Sequence, residues 1–144
     1  MKVNLVFPLF FSDRGNCFFF GQSSASTSMW QTVNLTDAID FNLIDNQTIR
    51  FNLSAWLGGW QNQDDNAKVT LQFYDQNNQL TGSSTTIGPV LAADRGSVTK
   101  LLPRQANGYV PIGTRSLKVT VVFTCISPTD NDGIADNIAV ELFV

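Results

Sequence analysis

The stretch QTIRFNLSAWL alternates apolar and polar residues with a period of two, and no other feature of the chain restricts its fold as much. Ile49, Phe51, Leu53, Ala55 and Leu57 fall on one side, and Arg50, Asn52, Ser54 and Trp56 on the other. A β-strand sends successive side chains to opposite faces, so the pattern predicts a strand with one buried face. The scheme recurs in AKVTLQFYD, with Val69, Leu71 and Phe73 inward, and in RSLKVTVVFTC, with Leu117, Val119, Val121, Phe123 and Cys125 in series. LTGSSTTIG runs back from AKVTLQFYD through a QNNQ hairpin, and IADNIAVELFV supplies the last strand. Shorter strands are expected at CFFFG, MWQTVNL and QANGYVP. At the N-terminus Val3, Leu5, Phe7, Leu9 and Phe11 share one face, which favours a first strand over a targeting peptide. Helical spacing is confined to NLTDAIDFNLID, where Thr36 resembles an N-cap and one short turn is expected.

Strands separated by Gly, Asn, Pro and Ser loops, with no linker or repeat to divide them, predict an all-β chain. Residues 1–144 read as a single domain, a two-sheet antiparallel β-sandwich with jelly-roll character. Apolar residues make up 43% and include 11 Phe, which is ample for one core. Nine basic against 12 acidic residues give a net charge of −3, a poor match to nucleic acid or an anionic membrane. No run reaches the ~18 apolar residues of a spanning helix.

The absence of histidine removes Ser-His-Asp and Cys-His catalysis and any His-rich metal site. Asp64 and Asp65 are the remaining candidates for paired-carboxylate hydrolysis, but nothing near them in sequence supplies the apolar pocket that holds one acid protonated. The chain therefore reads as non-catalytic. Cys17 and Cys125 fit either one disulfide or two small buried residues. Three sequons, beginning at Asn34, Asn46 and Asn52, would accept N-glycans in a secreted eukaryotic protein.

The acidic stretch PTDNDGIADN, residues 128–137, mimics the centre of an EF-hand loop. The count fails at both ends, because the first ligand would be Pro128 and the twelfth Ala139. Simple alternation instead turns Asp136 inward with Ile134, Ile138, Val140 and Leu142. A buried carboxylate needs a partner. Arg115 is one candidate, across the hairpin; Asp64 and Asp65 around a structural calcium are the other.

Four elements occur in order between residues 16 and 144: G-G-x-x-x-Q-D-D-x-A, D-R-G, V-P-x-G-T-R and N-D-G-x-A-D-N. Together they resemble the galactose-binding-like jelly-roll modules of carbohydrate-active extracellular proteins. The resemblance implies an extracellular or cell-surface, lectin-like domain. Such modules usually open with an Asn-Gly-Glu strand that helps to hold calcium, and MKVNLVFPLFF contains no Glu. On this reading a glycan is bound by loops at one end of the sandwich, through Trp60, Asp64, Asp65, Asp94, Arg95 and Asp132. Flat rings stack on sugar faces while carboxylates, amides and guanidinium meet the hydroxyls. Binding would gain by multivalency in a homo-oligomer. The alternative is a structural subunit of a surface layer or filament, whose apolar N-terminal strand pairs with a neighbouring copy.

Overall fold

The computed structural model describes residues 2–127 and 130–144 apart from the segment 7–16; for residues 2–6 it describes the backbone alone. Among the described residues nine strands carry the fold: β1 (Lys2–Val6), β2 (Phe19–Gln22), β3 (Ser26–Asn34), β4 (Arg50–Gly59), β5 (Asn66–Tyr74), β6 (Leu80–Ile87), β7 (Lys100–Tyr109), β8 (Ser116–Thr124) and β9 (Asn131–Phe143). They form two antiparallel sheets. One has the order β1-β9-β4-β7, with β2 also paired to β9; the other has the order β3-β8-β5-β6.

The strands β4, β5 and β8 obey the alternation of their sequences. Phe51, Leu53, Ala55 and Leu57 from β4 pack against Val69, Leu71 and Phe73 from β5 and Leu117, Val119, Val121 and Phe123 from β8. Phe51 and Phe73 meet across the sandwich with ring centroids 5.3 Å apart. The expected helical turn is α1 (Phe41–Asp45), capped by Asp40 rather than Thr36: the Asp40 carboxylate accepts the Asn42 N–H at 2.9 Å. At the N-terminus, Phe7, Leu9 and Phe11 lie outside the described residues, and β1 pairs with the second half of β9.

One departure from simple alternation reorganises the C-terminal strand. Ser54 of β4 lies opposite Ala139, but Trp56 lies opposite Asp136, so β9 carries one residue more than its partner over this interval. Asn137 sits there with φ 48°, a left-handed conformation that Asn tolerates better than most residues. A single extra residue exchanges the two faces of a strand. Ile138, Val140 and Leu142 face the core, and on the other side of the bulge Ala135 does, opposite Leu57. Directly paired residues share a face. Asp136 therefore stands beside Trp56 on the outer face of the five-stranded sheet, not in the interior where uninterrupted alternation would put it.

Candidate functional site

The sequence points to a mouth built from three loops: Trp60–Asp65 after β4, the segment around the 3₁₀ turn Ala93–Arg95, and the β8–β9 connection. The structure gathers most of the predicted ligand residues there, and it uses several of them to hold the loops. Asp65 is fully buried. Its Oδ1 accepts the N–H groups of Ile126 (2.6 Å) and Ser127 (2.8 Å), and its Oδ2 accepts that of Asp132 (3.1 Å). Arg95, 2% exposed, donates from Nη1 to the carbonyls of Gln61 (2.7 Å) and Val98 (2.6 Å) and from Nη2 to Gln63 (2.6 Å). Asp64 accepts from Ala92 N–H and Asp94 from Leu91 N–H, both at 2.9 Å. Gln63 turns its amide nitrogen to Asp132 Oδ2 at 2.9 Å and Asp65 Oδ2 at 3.3 Å. Trp60 remains exposed at the end of β4.

The electrostatics agree with a structural role. Burial lowers the Arg95 pKa, opposed by the charges of Asp64 and Asp94. Burial raises that of Asp132, with Asp65 and Asp130 adding repulsion. The Cys125 thiol is likewise pushed up by burial and then by Asp65, Asp132 and Asp130. Its S–H donates to the Ser127 carbonyl; Cys125 is half-buried beyond the end of β8 rather than in the core, and both Cys17 and Cys125 are free thiols.

Two expectations for Asp136 are corrected. Arg115 does not pair with it. The guanidinium makes a two-pronged pair with Asp45 at 3.0 and 2.7 Å and covers the Phe41 ring at 4.3 Å, next to the Tyr74 carbonyl that takes the Arg115 N–H. This cluster lies at the end of the sandwich opposite the mouth. Asp136 is 3% exposed, and its Oδ1 accepts the Asn137 N–H at 2.7 Å. Nor do Asp64, Asp65 and Asp136 converge as calcium ligands. Both Asp65 oxygens are taken by N–H donors, and Asp136 lies on an outer sheet face. Among the described residues no group of three or more His, Cys, Asp and Glu is placed to hold a metal ion.

A second group of polar and aromatic side chains lies elsewhere. Strand pairing aligns the outer residues of β9, β4 and β7 in four rows: Phe143–Arg50–Tyr109, Glu141–Asn52–Asn107, Ala139–Ser54–Gln105 and Asp136–Trp56–Pro103. The first two rows and Gln105 enclose a shallow cleft of about 490 Å³ lined by Arg50, Asn52, Gln105, Asn107, Glu141 and Phe143. Tyr109 is 55% exposed at its rim, with the Arg50 guanidinium 4.9 Å from its ring centroid. Arg50 also donates to Asn107 Oδ1 at 3.3 Å. The cleft thus combines planar hydrogen-bonding groups with two aromatic rings. Its residues appear in sequence as the outward half of each alternating strand, which marks them as solvent-facing and no more. Of the sequon asparagines, Asn34 and Asn46 are exposed, whereas Asn52 lines this cleft.

No protein-family model and no curated protein matches the chain. Solved structures do. The chain is similar to Family 16 Carbohydrate Binding Module-2, with TM-score 0.50 and 19% identity over 82% of this chain and 72% of that one. It is also similar to the infectious bursal disease virus VP2 subviral particle, with TM-score 0.55 and 11% identity over 99% of this chain and 32% of that one. A third likeness is to the enzymatically active domain of bacteriophage CBA120 tailspike protein 4, with TM-score 0.52 and 16% identity over 82% of this chain. The chain spans 14% of that tailspike chain's length. At these identities the likeness is one of fold. It agrees with the architecture described above: an all-β, two-sheet antiparallel sandwich of jelly-roll type. No helix among the described residues is long and apolar enough to cross a membrane.

Proposed function

We propose that the protein is a non-catalytic, extracellular or cell-surface carbohydrate-binding domain whose glycan lies across the outer face of the five-stranded sheet. The observation that carries this reading is the cleft of Arg50, Asn52, Gln105, Asn107, Glu141 and Phe143 with Tyr109 at its rim. Amides, a carboxylate and a guanidinium offer donors and acceptors in the pairs that vicinal hydroxyls require. Phe143 and Tyr109 supply flat apolar surface for the C–H face of a pyranose. The strands fix these groups to a rigid sheet, which limits the entropy lost on binding. A likeness to a carbohydrate-binding module supports the same reading at the level of fold.

This moves the expected ligand site from the loop mouth to the sheet. Asp65 and Arg95 are buried and bonded to backbone, so they present little to a sugar. A glycan array followed by calorimetry on any hit tests the assignment. Asn107→Ala and Tyr109→Ala are each expected to weaken binding about tenfold, and Trp60→Ala to leave it unchanged. Loss of binding in Trp60→Ala with the cleft variants unaffected would return the site to the mouth.

A second reading, a self-assembling structural subunit, is favoured by one observation. β1 forms one edge of the five-stranded sheet, and Phe18 and Phe20, 52% and 46% exposed, lie beside β2 on the same side of β9. An edge strand beside exposed aromatic rings suits addition of a strand from another copy. Sedimentation velocity across a hundredfold range of concentration distinguishes the two readings, since an assembling subunit grows with concentration and a lone binding domain stays at one size.

A further inference from the structure

The four-stranded sheet turns a second face to solvent, and its chemistry differs from that of the cleft. None of the residues of β3, β8, β5 and β6 is acidic, and the charges they carry are those of Lys68 and Lys118. In a chain of net charge −3, the strands of this layer carry positive charge alone. Pairing places Trp30, Thr120, Thr70 and Thr86 in one row across all four strands. Trp30 is 63% exposed. Lys118, one row further along β8, sets its ammonium 5.4 Å from the Trp30 ring centroid. The Thr70 and Thr86 hydroxyls bond each other at 2.8 Å, so the row is ordered as well as polar.

An indole left this far in water, in mid-strand, contributes little to folding. A single exposed ring is common on protein surfaces, but here it stands beside a lysine and an ordered row of hydroxyls, the combination that a charged sugar requires. The nearby lysine states the charge of the partner, and the threonine row states its polarity.

We infer that this face binds an anionic polysaccharide whose sugars carry carboxylates, the uronic-acid class. A pyranose ring stacks on Trp30, its carboxylate pairs with the Lys118 ammonium, and its hydroxyls meet the Thr120 and Thr70 row. Lys68, in the adjoining row on the other side of Trp30, extends the positive surface along the chain direction of a polymer. The cleft lies on the opposite sheet, so the two surfaces are separate and this inference does not depend on the cleft.

The test uses polygalacturonate and its methyl ester, which share a backbone and differ in charge. Affinity electrophoresis or calorimetry on the full chain is expected to show binding of the acid form, weakened at least about fivefold by esterification and reduced by added salt. Trp30→Ala should weaken it about tenfold and Lys118→Gln about three- to fivefold, with thermal unfolding unchanged in both. Asn107→Ala should bind polygalacturonate as the parent does. Equal affinity for the two polymers, no affinity for either, or full affinity in both Trp30→Ala and Lys118→Gln would overturn the inference. Loss in Asn107→Ala with Trp30→Ala intact would overturn it as well, placing the uronate in the cleft.

Discussion

The mouth of the sandwich and the outer face of its five-stranded sheet have similar ingredients, carboxylates, amides, a guanidinium and aromatic rings, and put them to opposite uses. At the mouth Asp65 holds three backbone N–H groups and Arg95 three carbonyls, each in full burial. On the sheet Asn52, Gln105, Asn107 and Glu141 border open space. A loop that leaves regular structure must satisfy its backbone groups somehow, and here ionised side chains do it. A strand has already satisfied its backbone through the ladder, so its outward side chains are not needed for that purpose. Residue type is therefore a weak guide to function in this chain, and the state of the neighbouring backbone is a better one.

The contrast is sharpest in Asp65→Ala. Removing a buried acceptor that serves three backbone N–H groups should cost about 3–5 kcal/mol, a fall in Tm of roughly 10–15 °C by calorimetry. Arg95→Met should cost about 2–4 kcal/mol, since it strands three carbonyls but also removes a buried charge. If either variant unfolds like the parent, the mouth is not held by these side chains and the division drawn above fails.

Acid separates the two ends of the sandwich. The Arg115 guanidinium, then the Gly113 N–H, lowers the Asp45 pKa. A depressed carboxylate stabilises the fold above its unfolded pKa, and that stability is lost as pH falls through the folded value, below about 4. Asp132 has the opposite sign: its pKa is raised by burial, then by Asp65 and Asp130, so protonation favours the folded form as pH falls towards about 4. Asp132→Asn should raise Tm slightly at pH 7 and lose that advantage in acid, while Asp45→Asn should lower Tm at pH 7 and converge with the parent only below pH 4. Melting curves from pH 3 to 8 check both signs. The smallest effect expected is that of a chelator, which should leave Tm unchanged within about 1 °C, since among the described residues no group of three or more His, Cys, Asp and Glu is placed to hold a metal ion.

Much of the fold is legible in the sequence because alternation is a local property. Ile49 to Leu57 and Leu117 to Phe123 declare their buried sides without reference to anything distant. The cleft is not local. Asn52, Asn107 and Glu141 are each unremarkable outward residues, and only the strand order, with β4 between β9 and β7, brings them into one row. The same limit hides the Asp45–Arg115 pair, whose members are 70 positions apart. Trp30 is legible as part of a strand, but its exposure depends on β3 lying at a sheet edge, which appears only in the strand order. At Asn137 the difficulty is different. Alternation either side of the bulge is sound, and one left-handed residue between them changes which side is which.

That residue makes β9 behave like a text whose reading frame changes midway. The part before it, Asn131–Ala135, is read by β2, and the part after it, Ala139–Phe143, by β1. Deleting Asn137 alone would remove the bulge and leave Ile138 inward, Asp136 outward and Ala135 inward in plain alternation, whereas a deletion elsewhere in β9 would turn one half of the strand over. A single insertion or deletion at any other point of this strand would thus misplace one of its halves, and the loops on either side could change length far more freely than the strand they join.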